Sequence, residues 1–154
     1  MKTRSIVLTF LLCLLALTVG FAQDPNIGTW KLNEAKSTIP AGVGKNTIVV
    51  YSAAGSDIKV TTDGVDAKGQ PAHTEWTGKF DAKPYPVTGG PDVDFRAVKP
   101  NGERTLLIAN MKGNKTVSNG KVELAKDGKS RTLDMTNFAA DGKKIHAKCV
   151  YDKQ

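Results

Sequence analysis

The sequence predicts an all-β domain, an antiparallel barrel of eight to ten strands with one short helical turn after the first strand. From residue 46 to the end of the chain, apolar and polar residues alternate with the period of two that is typical of strands. Asn-Gly and Asp-Gly pairs, which tolerate the positive φ of tight turns, separate these runs. No helical pattern is long enough for a parallel crossover.

The first 22 residues predict a secretory signal peptide. Lys2 and Arg4 give a charged start, residues 6–21 are almost wholly apolar, and Gly20 and Ala22 fit a cleavage site. The apolar run is shorter than the roughly 20 residues of a membrane span. We therefore expect residues 1–22 to be removed and residues 23–154 to form one barrel domain. The product would be periplasmic or secreted, with no membrane attachment after cleavage.

The charge of the chain argues against nucleic-acid binding. The net charge is +7, and the signal peptide carries two of these charges. The remaining lysines are scattered singly, as on solvated strand faces, whereas nucleic-acid binding calls for a basic stripe with interleaved aromatic residues. After cleavage the only cysteine is Cys149, so no internal disulfide is expected. Its alternation with apolar residues predicts a buried side chain rather than a reactive thiol.

Turn and capping residues set the order of the elements. Residues 27–32 predict the first strand, and residues 33–37 predict one helical turn with Asn33 as its cap, ended by Pro40. Residues 82–92, rich in Pro and Gly, predict a long loop over the barrel end. Residues 118–120 indicate either a bulge or a separate turn. The other predicted strands are 47–51, 57–62 (ended by Asp63-Gly64), 72–81, 93–99, 104–111, 115–125, 131–138 and 145–152.

A barrel fits this pattern better than a two-sheet sandwich. The core of a sandwich is filled mainly by branched aliphatic and aromatic residues, whereas about eight strands closing on themselves leave room for small or polar side chains or a small ligand. Many candidate inward positions are indeed small or polar: Thr74, Gly78, Ala97, Ala109, Asn110, Ala147 and Cys149.

Several segments resemble known barrel proteins. Gly28-Thr29-Trp30 resembles the Gly-x-Trp that opens the lipocalins and the fatty-acid-binding proteins. The longer run 28–33, with 35–37, 80–81, 85–89 and the ending 151–154, resembles small exported bacterial proteins described as lipocalin-like. The resemblance implies an up-and-down, lipocalin-like barrel in which Trp30 packs the closed end. That bacterial group has no assigned activity, so the resemblance implies no ligand.

Two features of the larger families have no clear match in this chain. The last strand lacks the Arg that packs over the Trp in lipocalins, and the nearest Arg is Arg131, one strand earlier. The Arg-x-Tyr carboxylate pair of the fatty-acid-binding proteins is also absent.

We expect any ligand to lie inside the barrel. Pocket walls that are mostly apolar with a few polar groups suit a small, largely apolar molecule. Strand parity, with Trp76 and Phe80 taken as inward, also indicates Leu133 and Ile145 as lining residues. Arg131 could meet an anionic head group, but a wet position at the rim, paired with an Asp, is the interpretation we favour. The candidate ligand-binding residues are Trp76, Phe80, Phe95, Leu107, Arg131, Met135 and Tyr151.

One alternative to a ligand-binding barrel remains open at this point. The same side chains could fill the barrel and leave a solid core, and the chain would then be a partner-binding module that uses loop 82–92. An enzyme is not predicted, because the inward positions are nearly free of acids and bases. His73 and His146 lie opposite the apolar faces of their strands, so neither a metal site nor a cofactor is expected. A monomer is expected.

Overall fold

Ten antiparallel strands close into a barrel, in which each strand pairs with its neighbours in the chain and β1 also pairs with β10. The computed structural model describes residues 24–154, so the predicted signal peptide, residues 1–22, lies outside the described residues. This architecture confirms the predicted all-β, up-and-down barrel. The strands are β1 (Gly28–Leu32), β2 (Lys45–Ala54), β3 (Asp57–Val65), β4 (Pro71–Gly78), β5 (Pro84–Thr88), β6 (Phe95–Pro100), β7 (Thr105–Lys112), β8 (Lys115–Leu124), β9 (Ser130–Phe138) and β10 (Lys144–Lys153).

The helical turn after β1 is present as a single 3-10 turn, Glu34–Lys36. The side chain of Asn33 accepts a hydrogen bond from the backbone N–H of Lys36, as its predicted role as a cap requires. The segment then returns to the barrel, where Thr38 forms an isolated bridge with Lys148. Among the described residues, no helix has the length and hydropathy needed to cross a membrane.

Two glycines mark close approaches between strands rather than turns. Gly64, predicted to end its strand, lies within β3 opposite a register shift in β2, and a Cβ there would overlap the carbonyl oxygen of Lys45. Gly120 lies within β8, where a Cβ would overlap the carbonyl oxygen of Asp134. Residues 118–120 are therefore not a turn. The irregularity lies just before them, in the register shift between β7 and β8.

The predicted loop 82–92 is wrong, because its centre is strand β5. This strand pairs with β4 through two residue pairs and with β6 through three. Pro84 and Pro86 cannot donate to a ladder, which favoured a loop in the sequence. The strand nevertheless closes the barrel through these few pairs, and Val87 donates its N–H to the carbonyl of Asp94 at 2.9 Å.

The end of the barrel at which β1 begins is packed with apolar side chains. Trp30 is fully buried and its indole N–H donates to the carbonyl of Asn26 at 2.8 Å, as expected for a structural Trp. Trp76 is also buried and donates to the carbonyl of Arg96 at 3.0 Å. Neighbouring core residues at the same end include Val98, Leu106 and Leu124.

Candidate functional site

The other half of the barrel encloses a cavity of about 720 Å³. Its mouth lies at the end where β1 stops, between the connecting segments 42–44, 66–67, 90–93 and the end of β9. The interior is therefore not the solid core that one alternative required. Val49, Val60, Ile108 and Val122 are among the buried apolar residues of its wall.

Three of the seven predicted ligand-binding residues line this cavity, namely Arg131, Met135 and Tyr151. Leu133 and Ile145, indicated by the same strand parity, line it as well. In β9 and β10 the inward phase could be read from the sequence, because apolar residues occupy only one face over most of each strand.

The other four predicted residues lie elsewhere. Trp76 faces inward but fills the closed end, where its ring is 6.3 Å from that of Phe80 and 6.1 Å from that of Tyr85. Phe95 is 39% exposed. Leu107 lies on the outer face of β7, because its neighbour Ile108 lines the cavity.

Parity failed in β6 and β7 because both faces of these strands carry apolar residues. The run 105–111 is apolar at positions 106, 107, 108, 109 and 111, so alternation does not show which face of the strand points inward. Ala97 and Ala109, which were predicted to point inward, lie on the outer face of these strands. Their neighbours Arg96 and Asn110 line the cavity instead.

Arg131 is not at the rim, and the predicted pairing with an Asp is wrong. Its side chain is 3% exposed, and its guanidinium carbon lies 4.5 Å from the ring centroids of Trp30 and Tyr51 and 5.5 Å from that of Tyr151. Its Nη1 is buried without a hydrogen-bond partner. Burial lowers its pKa, but a guanidinium remains charged at physiological pH. The aromatic faces therefore stabilise a buried cation.

This contact supplies the arginine over Trp30 for which the last strand of the sequence has no match. An arginine does pack over the Trp of the first strand, but it comes from β9 rather than from the last strand. Lys153, at the end of β10, also approaches the Trp30 ring, at 5.1 Å.

The cavity contains a second arginine, Arg96, which sequence reasoning missed. Its Nε donates to Oδ1 of Asn110 at 2.8 Å, and Nδ2 of Asn110 donates to the hydroxyl of Ser118 at 2.9 Å. The register places these three residues side by side on β6, β7 and β8. Burial lowers the pKa of Arg96. In the sequence, the one indication is that Arg96 lies two residues before Val98 and therefore shares its strand face. Apolar residues on the other face hid the fact that this face points inward.

The remaining polar groups of the cavity are mostly hydrogen-bonded to the barrel itself. The hydroxyl of Tyr151 donates to the carbonyl of Asn46 at 3.1 Å, and those of Thr62 and Thr74 are 2.7 Å apart. Burial raises the pKa of the Cys149 thiol and of the Tyr151 phenol, so both are protonated at neutral pH.

The described residues offer little for catalysis or metal binding. Both histidines are exposed on the outer surface, and the only acids that line the cavity, Asp66 and Asp92, are at its mouth. Within residues 24–154 no group of three or more His, Cys, Asp or Glu side chains could hold a metal ion. The arrangement can enclose and orient a molecule.

No protein-family model and no curated protein matches this chain. Among solved structures, the chain is similar to a redesigned β-barrel, mFAP1, bound to DFHBI, with 15% identity and a TM-score of 0.43, covering 84% of this chain and 95% of the other. It is also similar to EF1p2_mFAP2b bound to DFHBI, with 13% identity and a TM-score of 0.46, covering 84% and 94%. Likenesses this distant carry no argument about the ligand of this chain.

Proposed function

We propose that this chain is an exported, monomeric barrel that binds a small, largely apolar molecule in its cavity. The observation that carries the proposal is the cavity itself. Its volume of about 720 Å³ falls within the range of roughly 300–1,000 Å³ that is common for small-molecule sites. Apolar side chains from most strands form the wall, and the mouth at one end gives a ligand a path to the interior.

Binding without chemistry fits the state of the groups in the cavity. A nucleophile needs a base within hydrogen-bond reach or a depressed pKa. The pKa of the Cys149 thiol is raised by burial, and the Tyr151 hydroxyl donates to a backbone carbonyl. We therefore propose a carrier or sensor of a small molecule rather than an enzyme.

The alternative function is a partner-binding module, and neither of its two premises holds. It required a solid barrel and a free loop at residues 82–92, whereas the barrel encloses a cavity and that segment contains β5. No other observation favours it.

Cys149 provides a direct test, because it lines the cavity and is the free cysteine of the described residues. Methyl methanethiosulfonate, a small neutral thiol reagent, should modify it at a rate that falls when a ligand fills the cavity. Peptide mapping would follow Cys149 while 1-octanol, octanoate, 3-phenylpropanol and a fluorescent fatty acid are each added. We expect at least one compound to slow the modification tenfold or more at saturation.

Native mass spectrometry of the purified protein complements this test. A bound molecule would add mass that disappears on denaturation. Failure of every compound to protect Cys149, together with a native mass equal to that of the polypeptide, would contradict the proposed function.

The export proposal is tested separately. The mature protein should begin at Gln23, and an intact residue 1–22 segment in the purified product would argue against export.

A further inference from the structure

Two arginines lie inside the barrel without an acidic partner. Arg96 on β6 and Arg131 on β9 both line the cavity. Neither forms an ion pair with a carboxylate in residues 24–154, where all the ion pairs involve lysine or histidine. Buried cations are normally paired, because removing a charge from water is costly. The interior of the cavity therefore carries two arginines that no carboxylate of residues 24–154 pairs with, since the acids that line the cavity, Asp66 and Asp92, are at its mouth.

The two arginines line the same lumen as Tyr51. The Cζ of Arg131 is 4.5 Å from the ring centroid of Tyr51, on β2. Arg96, on β6, lines the same cavity as Tyr51. Strands β2, β6 and β9 are far apart around the wall of a ten-strand barrel. Side chains from them can therefore meet only in the interior. We call Tyr51, Arg96 and Arg131 the arginine cluster.

The two cations of the cluster differ in how they are stabilised. Three aromatic rings face Arg131, and its unpaired Nη1 has no contact with solvent. No aromatic ring stacks on Arg96 among the residues that the structure describes, and only its Nε is hydrogen-bonded to a side chain. Its two terminal nitrogens have no protein partner in that part of the chain. Arg96 is therefore the cation available to a ligand.

The neighbours of Arg96 hold it in a binding orientation. Asn110 accepts the Nε–H with its carbonyl oxygen, and its amide nitrogen is fixed by donating to Ser118. Because the Ser118 oxygen accepts this bond, its own O–H remains free to donate into the cavity. A fixed guanidinium with free terminal N–H groups matches the two oxygens of a carboxylate or similar oxyanion.

We propose that the ligand of this barrel is an amphipathic organic acid, whose carboxylate or other oxyanion binds Arg96 and whose apolar body lies along the aliphatic wall. This inference rests on the proposed function and names its ligand class. Arg131 adds a second positive charge in the same lumen, and Ser118 donates a hydrogen bond. The anion supplies the counter-charge that no carboxylate of residues 24–154 supplies to Arg96.

Matched acid and alcohol pairs test the charge requirement. Octanoate and 1-octanol share their chain length and differ in the head group, as do 3-phenylpropionate and 3-phenylpropanol. We expect the acids to bind the wild-type protein at least tenfold more tightly, measured by protection of Cys149 and by titration calorimetry. In Arg96→Met this preference should disappear, while the affinity for the alcohols stays within about twofold. Arg104→Met removes the same charge from an exposed position and should leave the preference intact.

A second variant keeps the test decisive if Arg96→Met does not fold. Asn110→Asp is nearly isosteric and places a carboxylate against Arg96 within the wall. This internal anion should compete with the ligand, lowering the affinity for the acids tenfold or more and leaving the alcohols unaffected.

The outcomes separate this inference from the proposed function. Equal binding of acid and alcohol, or an acid preference that survives in both variants, would overturn the anion site while leaving a binding barrel. Absence of binding by either member of either pair, with no molecule retained on purification, would overturn both.

Discussion

Filling the cavity should stabilise the barrel, and Ala147→Leu is the perturbation we would make first. Ala147 lies on β10, is 4% exposed and lines the cavity. Leucine adds three carbon atoms, which would enter the cavity rather than the packed end that contains Trp30. If that space were already filled by protein atoms, the same change would overpack the core.

The expected magnitude follows from burial. Three carbons at about 0.8 kcal/mol for each buried CH₂ contribute at most about 2.4 kcal/mol. Ordering the leucine side chain costs about 0.5–1 kcal/mol. The free energy of unfolding should therefore rise by about 1.5 kcal/mol. In a domain of this size 1 kcal/mol shifts Tm by roughly 3–5 °C, so a rise of about 5–7 °C is expected.

Calorimetry and urea denaturation measure this change, and Ala53→Leu is the matched control. Ala53 lies on β2 and is exposed, so the same three carbons would remain in water and Tm should hardly move. Ala147→Leu should also weaken any ligand that reaches the deep part of the cavity. A fall in Tm, corresponding to the 1–3 kcal/mol that is typical of overpacking, would refute the assignment of open space beside Ala147.

Three further changes test the wall, the closed end and the outer surface. Gly120→Ala should cost about 2 kcal/mol or more in urea denaturation, because its Cβ would overlap the backbone oxygen of Asp134; unchanged stability would contradict this close approach. Trp30→Phe should cost about 2 kcal/mol, since it removes the indole and leaves a buried carbonyl without its donor, and a loss below 0.5 kcal/mol in the same assay would count against the structural role. The hydrogen bond from His73 to Asp63 raises the pKa of His73 above the ordinary value of about 6.5, so its stabilising contribution is complete at lower pH and lost as pH rises through the raised pKa. NMR titration should show this pKa falling in Asp63→Asn, and a pKa already at or below the ordinary value would disprove the coupling.

Much of the fold could be predicted because its signals are local. A hairpin is specified by a few turn residues between two alternating runs, and the cap at Asn33 is specified by its immediate neighbours. The presence of a small strand-rich barrel therefore followed from the order of residues along the chain. Strand β5 escaped prediction because Pro84 and Pro86 oppose a strand locally, and only the adjacent strands compensate for their missing donors.

The candidate site was predicted only where one strand was sufficient. Arg131, Met135 and Tyr151 could be assigned because β9 and β10 each show a single inward phase. Phe95 and Leu107 were misplaced because β6 and β7 carry apolar residues on both faces, and burial on the barrel wall cannot be distinguished from burial in the lumen along the sequence alone.

The sequence by itself determined an alternating chain that folds into successive hairpins, with a Trp to pack one end. The tertiary structure decided which side chains meet. Arg96, Asn110 and Ser118 are adjacent only because the register aligns three strands, and Arg96 and Arg131 share the lumen only because the barrel closes. The physical reason is that strand periodicity is a property of neighbouring residues, whereas register and closure depend on contacts between residues that are distant in the chain.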